Sequence, residues 1–237
     1  MDITKLAMYK KMFGGGGGNS GSGDFKITDA SYLFYDGARI DSMEQLISAF
    51  HDVKTLNYAF YKCQVETVPD FDTSKCENFW HAFEQCSNLK VAPNLDTSNG
   101  TTFNNIFSKC SNLTTVNRLD LNKATTSGST TNLFGNCNKL TDLYLYNIRY
   151  SITIWSSTGS TSTLTDESLI HTIKELCTVT SSMTLTMRTV NVQRCSMIYC
   201  KIIDDTTEKK PMELCESTDE GAMTLVDYAL EKGWSLA

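Results

Sequence analysis

A Phe-x-x-Cys tetrapeptide returns four times along the chain, closing at Cys63, Cys86, Cys110 and Cys137 with steps of 23, 24 and 27 residues. A period in that range is the signature of stacked structural units, and it limits the possible folds more than any other feature here. The flanking residues recur with it. Ala82-Phe83-Glu84-Gln85-Cys86-Ser87-Asn88-Leu89 precedes Leu95-Asp96-Thr97-Ser98, and Ile106-Phe107-Ser108-Lys109-Cys110-Ser111-Asn112-Leu113 precedes Leu119-Asp120-Leu121. Phe60 and Phe134 with Leu140 complete the outer units, and Phe34 stands 26 residues before Phe60 in a degenerate first unit. The additional length of the last step falls in Thr125-Thr126-Ser127-Gly128-Ser129-Thr130, a polar stretch suited to a looped-out excursion.

One such unit is too small to bury its own apolar face, so neighbours must close a shared core. The reading predicts a repeat array over 24–149 in which Phe60, Phe83, Phe107 and Phe134 lie over one another. Cys63, Cys86, Cys110, Cys137, Leu89, Leu113 and Leu140 form parallel ladders with them. A free cysteine in such a ladder acts as a small apolar filler with a weak S–H donor for a carbonyl left by the turning backbone. The Phe-x-x-Cys segments suit a helical turn, and Leu89–Leu95, Leu113–Leu121 and Leu140–Tyr146 suit extended chain. Asp-Thr-Ser at 72–74 and 96–98 supplies oxygens for local amides at the corners. The expected fold is α/β, a leucine-rich-repeat-like solenoid closed at its far end by a helix and strand cap.

The remaining thirds of the chain read differently. Ile3, Leu6, Ala7 and Phe13 share one side of a short helical pattern over 1–13, followed by a Gly/Ser tract over 14–23. Thirteen residues are marginal as a helix in water, so the segment is either a disordered terminus or a docking helix on a tether of roughly 15–20 Å reach. Residues 150–237 form a C-terminal capping module. There Thr165 caps a helix carrying Leu169, Ile173 and Leu176, and Met183–Met187 alternates as a strand. Val192, Cys195, Tyr199 and Ile202 space as a second helix, and Thr206–Glu220 is a charged loop. Met223, Val226, Ala229 and Leu230 mark a third helix before Trp234-Ser235-Leu236 returns as a strand.

Charge and motif composition narrow the function. With 21 Lys+Arg against 27 Asp+Glu the net charge is −6, which gives no general attraction for nucleic acid. The apolar runs are too short to span a bilayer, and the opening residues lack the pattern of an export signal. His51, His81 and His171 fall in no metal or hydrolase motif, and the cysteine spacings do not form a zinc knuckle. Gly14–Gly18 lacks the Lys-Ser/Thr of a phosphate loop. No catalytic residue, metal or cofactor is expected. A thiol enzyme is the remote alternative and would need an exposed cysteine of low pKa.

The string x-Phe-x-x-Cys-Ser-Asn-Leu…Leu-Asp-Thr-Ser-Asn resembles the BspA-like leucine-rich repeats of bacterial surface proteins, over about half of the chain. The opening Ile-Thr-Lys-Leu-Ala with its glycine tract is similar to the start of virion structural proteins of phages of Gram-positive bacteria. The helix–strand–helix–strand ending resembles the module that follows such repeats in phage tail proteins. Together these resemblances imply a non-enzymatic virion protein of the tail, baseplate or fibre, assembled in the host cytoplasm and displayed on the particle in several symmetric copies. Its 1–13 segment would hold other virion proteins, and its repeats would meet a host surface protein or glycan. Trp80, Trp155, Tyr144 and Tyr146 are the candidate surface anchors, with core packing the alternative for each. A capsid head-fibre or decoration protein, or a bacterial surface adhesin, are the other readings.

Overall fold

The computed structural model describes residues 27–36, 50–124, 126–154, 163–179, 183–203, 206–207 and 210–237, without the side chains of His51 and Ser127. The candidate docking residues Ile3, Leu6, Ala7 and Phe13, the Gly/Ser tract and Trp155 lie outside the described residues.

The expected leucine-rich-repeat-like α/β solenoid is corrected by the observed elements. Four small separate sheets and three α-helices make up the described regular structure, apart from one short 3-10 turn over Ser127–Thr130. β1 (Ile27–Asp29) pairs in parallel with β2 (Phe50–Thr55), and β3 (Thr115–Asp120) with β4 (Asp142–Tyr146). Between these two pairs strand-type pairing is reduced to isolated parallel bridges such as Asn78 with Thr102 and Val91 with Thr115. All three helices lie in the C-terminal third: α1 (Asp166–Lys174), α2 (Thr189–Cys195) and α3 (Leu225–Glu231).

Backbone geometry explains why the Phe-x-x-Cys segments are not helical. In each, and in the degenerate first segment around Phe34, the residue two before the phenylalanine and the residue two after it have left-handed backbones. These are Tyr32 and Asp36, Tyr58 and Lys62, His81 and Gln85, Asn105 and Lys109, and Asn132 and Asn136, with φ between 51° and 64°. A left-handed residue at every fourth position cannot continue a right-handed helix. Alternate amides therefore turn outward to the next segment. Tyr58, Phe60 and Lys62 donate to Trp80, Ala82 and Glu84, and His81, Phe83 and Gln85 donate to Asn104, Ile106 and Ser108. The intervening amides close local turns, as Cys63 does on Phe60 and Cys86 on Phe83.

Inside these turns Phe34, Phe60, Phe83, Phe107 and Phe134 stack face on face, with centroids 4.8, 4.8, 5.2 and 5.9 Å apart. Phe79 on Phe103 forms a second, shorter column at 5.4 Å. All of these rings are fully buried, as are Leu89, Leu113 and Leu140. Burying each ring stabilises the fold by about 1.5–3 kcal/mol.

The C-terminal third continues from this core. β5 (Ile152–Thr153), β6 (Met183–Thr186) and β10 (Trp234–Leu236) form a parallel sheet with β6 at its centre. Leu133 donates to Thr153, and Ile154 to Thr186, so the interlayer bonding runs across the junction. A second sheet is antiparallel, with β7 (Tyr199–Ile202) between β8 (Met212–Leu214) and β9 (Met223–Thr224). The Thr165 side chain caps α1, and a reciprocal Thr224–Asp227 capping box opens α3. Several expectations are corrected here: Met223, read into the third helix, lies in β9, and Leu176, read into the first, lies beyond the end of α1 and bridges to Ile148. The helix read through Val192 and Cys195 stops at Cys195, so Tyr199 and Ile202 lie in β7, and the stretch read as a charged loop contains β8.

Candidate functional site

The cysteines face inward. All nine are free thiols, eight of them buried and Cys215 half-buried. Cys86 Sγ donates to the Phe60 carbonyl at 2.9 Å, Cys110 Sγ to Phe83 and Cys137 Sγ to Phe107 at 3.0 Å each. Each of these carbonyls also accepts the amide of its own unit's cysteine, so both of its lone pairs are used. Burial pushes the thiols of Cys63, Cys76 and Cys195 up to about 12 and that of Cys200 to about 11. Burial also raises Cys110, reinforced by Cys137 and Cys86 beside it. Protonated thiols hydrogen-bonded in a core are poor nucleophiles. Among the described residues, no group of three His, Cys, Asp or Glu side chains is placed to hold a metal ion.

One charged cluster lies against the aromatic flank. His81 Nδ1 meets one Glu84 oxygen, and Lys109 Nζ the other at 2.9 Å, while the imidazole stacks on Tyr58 at 4.4 Å and 5°. Burial raises the Glu84 carboxyl, but the Lys109 ammonium and the His81 ring outweigh it and hold the group below its usual value. Cys76 and Cys86, each five residues from His81, donate to the Asn78 and Phe60 carbonyls, and neither pairs with the imidazole. The cluster ties neighbouring units together.

Outward-facing aromatics gather at the early end of the repeat segment. Tyr32 stacks on Tyr58 at 5.2 Å and Tyr35 on Tyr61 at 4.8 Å, and Trp80 packs tilted against Tyr58 at 5.8 Å and His81 at 5.0 Å. Tyr32, Tyr35 and Trp80 are 51%, 39% and 42% exposed, so three of the four exposed large aromatics among the described residues lie here. Alongside it Asp36, Lys62, Gln64, Gln85, Ser87 and Lys109 line an open groove of about 570 Å³.

The structure separates the predicted anchors. Trp80 belongs to the exposed cluster. Tyr144 and Tyr146 are half-buried on β4, both edge-on to His171, and the Arg118 guanidinium lies 4.4 Å over the Tyr146 ring. Their surroundings make them packing residues of the β4–α1 contact. The sequence reading passed over Tyr32, Tyr35, Tyr58, Tyr61 and the groove residues as members of the site. The signal was present: Tyr32, Tyr58 and His81 each stand two residues before a ladder phenylalanine, and Tyr35 and Tyr61 one residue after.

Comparison with protein-family models, with curated proteins and with solved structures gives no match to this chain. Among the described residues no helix is long and apolar enough to cross a membrane.

Proposed function

We propose that this chain is a non-enzymatic structural component of a phage particle, of the tail, baseplate or fibre, that presents a surface for attachment to a host cell. The observation that carries the reading is the cluster of exposed Tyr32, Tyr35 and Trp80 around the half-buried Tyr58, on a flank of hydrogen-bonded turns. Aromatic side chains hold large contact area at low entropic cost and dominate binding surfaces. The resemblance of units 82–98 and 106–121 to repeats of bacterial surface proteins points the same way. The inward, protonated thiols favour a binding role over covalent chemistry. On this reading the 1–13 segment docks the chain, in several copies, to other particle proteins.

Attachment is tested by competition. Isolated chain added in excess should slow adsorption of particles to host cells, and a Tyr32→Ala/Trp80→Ala double variant should not. Equal adsorption with and without wild-type chain would refute the reading. Docking is tested separately: deleting residues 1–18 should leave a folded chain absent from purified particles.

A further inference from the structure

Asp36, Lys62, Gln85 and Lys109 occupy one position in successive units, each two residues after a ladder phenylalanine and each with a left-handed backbone. That conformation swings their side chains onto the flank, where Gln64 and Ser87 from an adjacent position complete the 570 Å³ groove. Its size lies within the range of sites for small ligands. The four position-equivalent amides donate to the next segment, to Tyr61, Glu84, Ser108 and Gly135 respectively. A peptide strand therefore finds no unpaired amide edge along this column.

The side chains offer donors and acceptors in alternation. Gln85 Nε2 donates to the Tyr61 hydroxyl at 2.6 Å, Ser87 donates to Gln64 Oε1 at 3.2 Å, and Gln64 Nε2 donates to the Lys62 carbonyl at 2.9 Å. Charge is balanced, since Lys62 lies 3.8 Å from Asp36 and Lys109 is bound to Glu84 at 2.9 Å. A polyanion gains little from such a surface, and an apolar ligand would strand its polar floor. The Tyr35–Tyr61 stack adjoins the groove through the Gln85 bond and offers apolar ring edges beside it. Amides, hydroxyls and a carboxylate beside aromatic rings suit a ligand dense in hydroxyl groups and without net charge.

We infer that this groove is a binding site for a neutral saccharide chain. The inference names the ligand class of the proposed attachment surface and rests on that reading. Its test titrates the full chain with short neutral oligosaccharides of hexose and of N-acetylhexosamine, read by ligand-observed NMR and calorimetry. At least one set should bind. Gln85→Leu and the more exposed Gln64→Ala should each weaken binding by about tenfold, the worth of one good hydrogen bond. Lys90→Ala, outside the groove, should leave the affinity unchanged, and thermal melts should show all three variants folded. Absence of binding by every oligosaccharide, indifference to both glutamine changes, or preference for a sulfated oligosaccharide would overturn the inference. Particle adsorption that falls with Gln64→Ala but is not competed by any saccharide would overturn the ligand class and keep the attachment reading. Groove-dependent saccharide binding by a chain whose deletion leaves adsorption unchanged would keep the site and overturn the attachment reading.

Discussion

Between residues 50 and 149 the same few contacts are made over and over, ring on ring and thiol on carbonyl, whereas from 163 to 237 the buried polar contacts are each of a different kind, and Thr172 Oγ1 and Asn191 Nδ2 are buried without a hydrogen-bond partner among the described residues. Trp234 Nε1 donates to the Cys177 carbonyl at 2.8 Å, and the Tyr228 hydroxyl to Lys210 at 2.6 Å. The fully buried Lys232 sends its ammonium to the Lys174 carbonyl at the end of α1, at 3.0 Å, and over the Tyr228 ring at 4.6 Å. Arg194 grips both oxygens of Asp166 and ties α2 to α1. The repeat segment is thus redundant in its polar contacts and dependent on its rings, since each inner ring touches one above and one below. The C-terminal third has no such redundancy.

Thiol chemistry gives the largest expected effect and asks whether this contrast extends to unfolding. The eight buried thiols should react with a soluble disulfide only through opening of the core, about 10³-fold or more slower than a free thiol, while Cys215 reacts first. Because interlayer bonds cross the junction at Leu133–Thr153 and Ile154–Thr186, Cys86 and Cys195 should become labelled at one common rate. Mass spectrometry of the labelled peptides checks this, and distinct rates would make the two regions separate folding units.

Phe107→Ala removes a ring held between Phe83 and Phe134 and should cost about 3–5 kcal/mol in urea unfolding. Thr97→Val tests the polar side of the same segment. The buried Thr97 hydroxyl donates to the Asp120 carbonyl at 3.1 Å and accepts the Asp120 amide at 2.7 Å, so the variant strands two backbone groups and should cost about 2–3 kcal/mol. In the C-terminal third, Gly233→Ala should cost about 2 kcal/mol. Its φ of 85° disfavours a side chain, and a Cβ there would approach the Val179 carbonyl oxygen to 2.7 Å. If Gly233→Ala cost more than Phe107→Ala, the contrast drawn between the regions would be reversed.

The smallest effect is one of pH. The Glu84 carboxyl is held below its usual 4.5 in the folded chain, so the unfolded chain binds the proton first as the solution is acidified. Its contribution is therefore complete above 4.5 and is lost as the pH falls through the folded value. Glu84→Gln should flatten the acid side of the urea-midpoint profile, measured from neutral pH down to about pH 3, by less than about 1 kcal/mol. An unchanged slope would mean that the His81–Glu84–Lys109 cluster does not couple neighbouring units.

Much of the interior was readable because burial leaves a mark on residue type. The ladder phenylalanines, the unpaired cysteines and Leu89, Leu113 and Leu140 were legible from spacing alone. Thr165 as a cap and the apolar stripe through Leu169 and Ile173 identified α1 in the same way. The fold class was not legible. Phe-x-x-Cys has the spacing of a helical turn, and nothing in residues such as Lys62, Gln85 or Lys109 announces a left-handed backbone, a conformation that more often selects glycine or asparagine. Tyr199 and Ile202 continue a helical spacing from Val192 and Cys195, yet pairing with β8 and β9 drew them into a strand.

What the sequence determined by itself was which side chains leave water, because that choice follows from the chemistry of each residue and its period along the chain. What only the tertiary structure decided was where the alternate amides go. They bond to the next segment instead of up a helix, since those partners become available only once the units lie against one another. The same packing decided which residues meet on the flank: Tyr61 reaches Gln85 across 24 positions of chain, and that contact exists only after the turns are stacked.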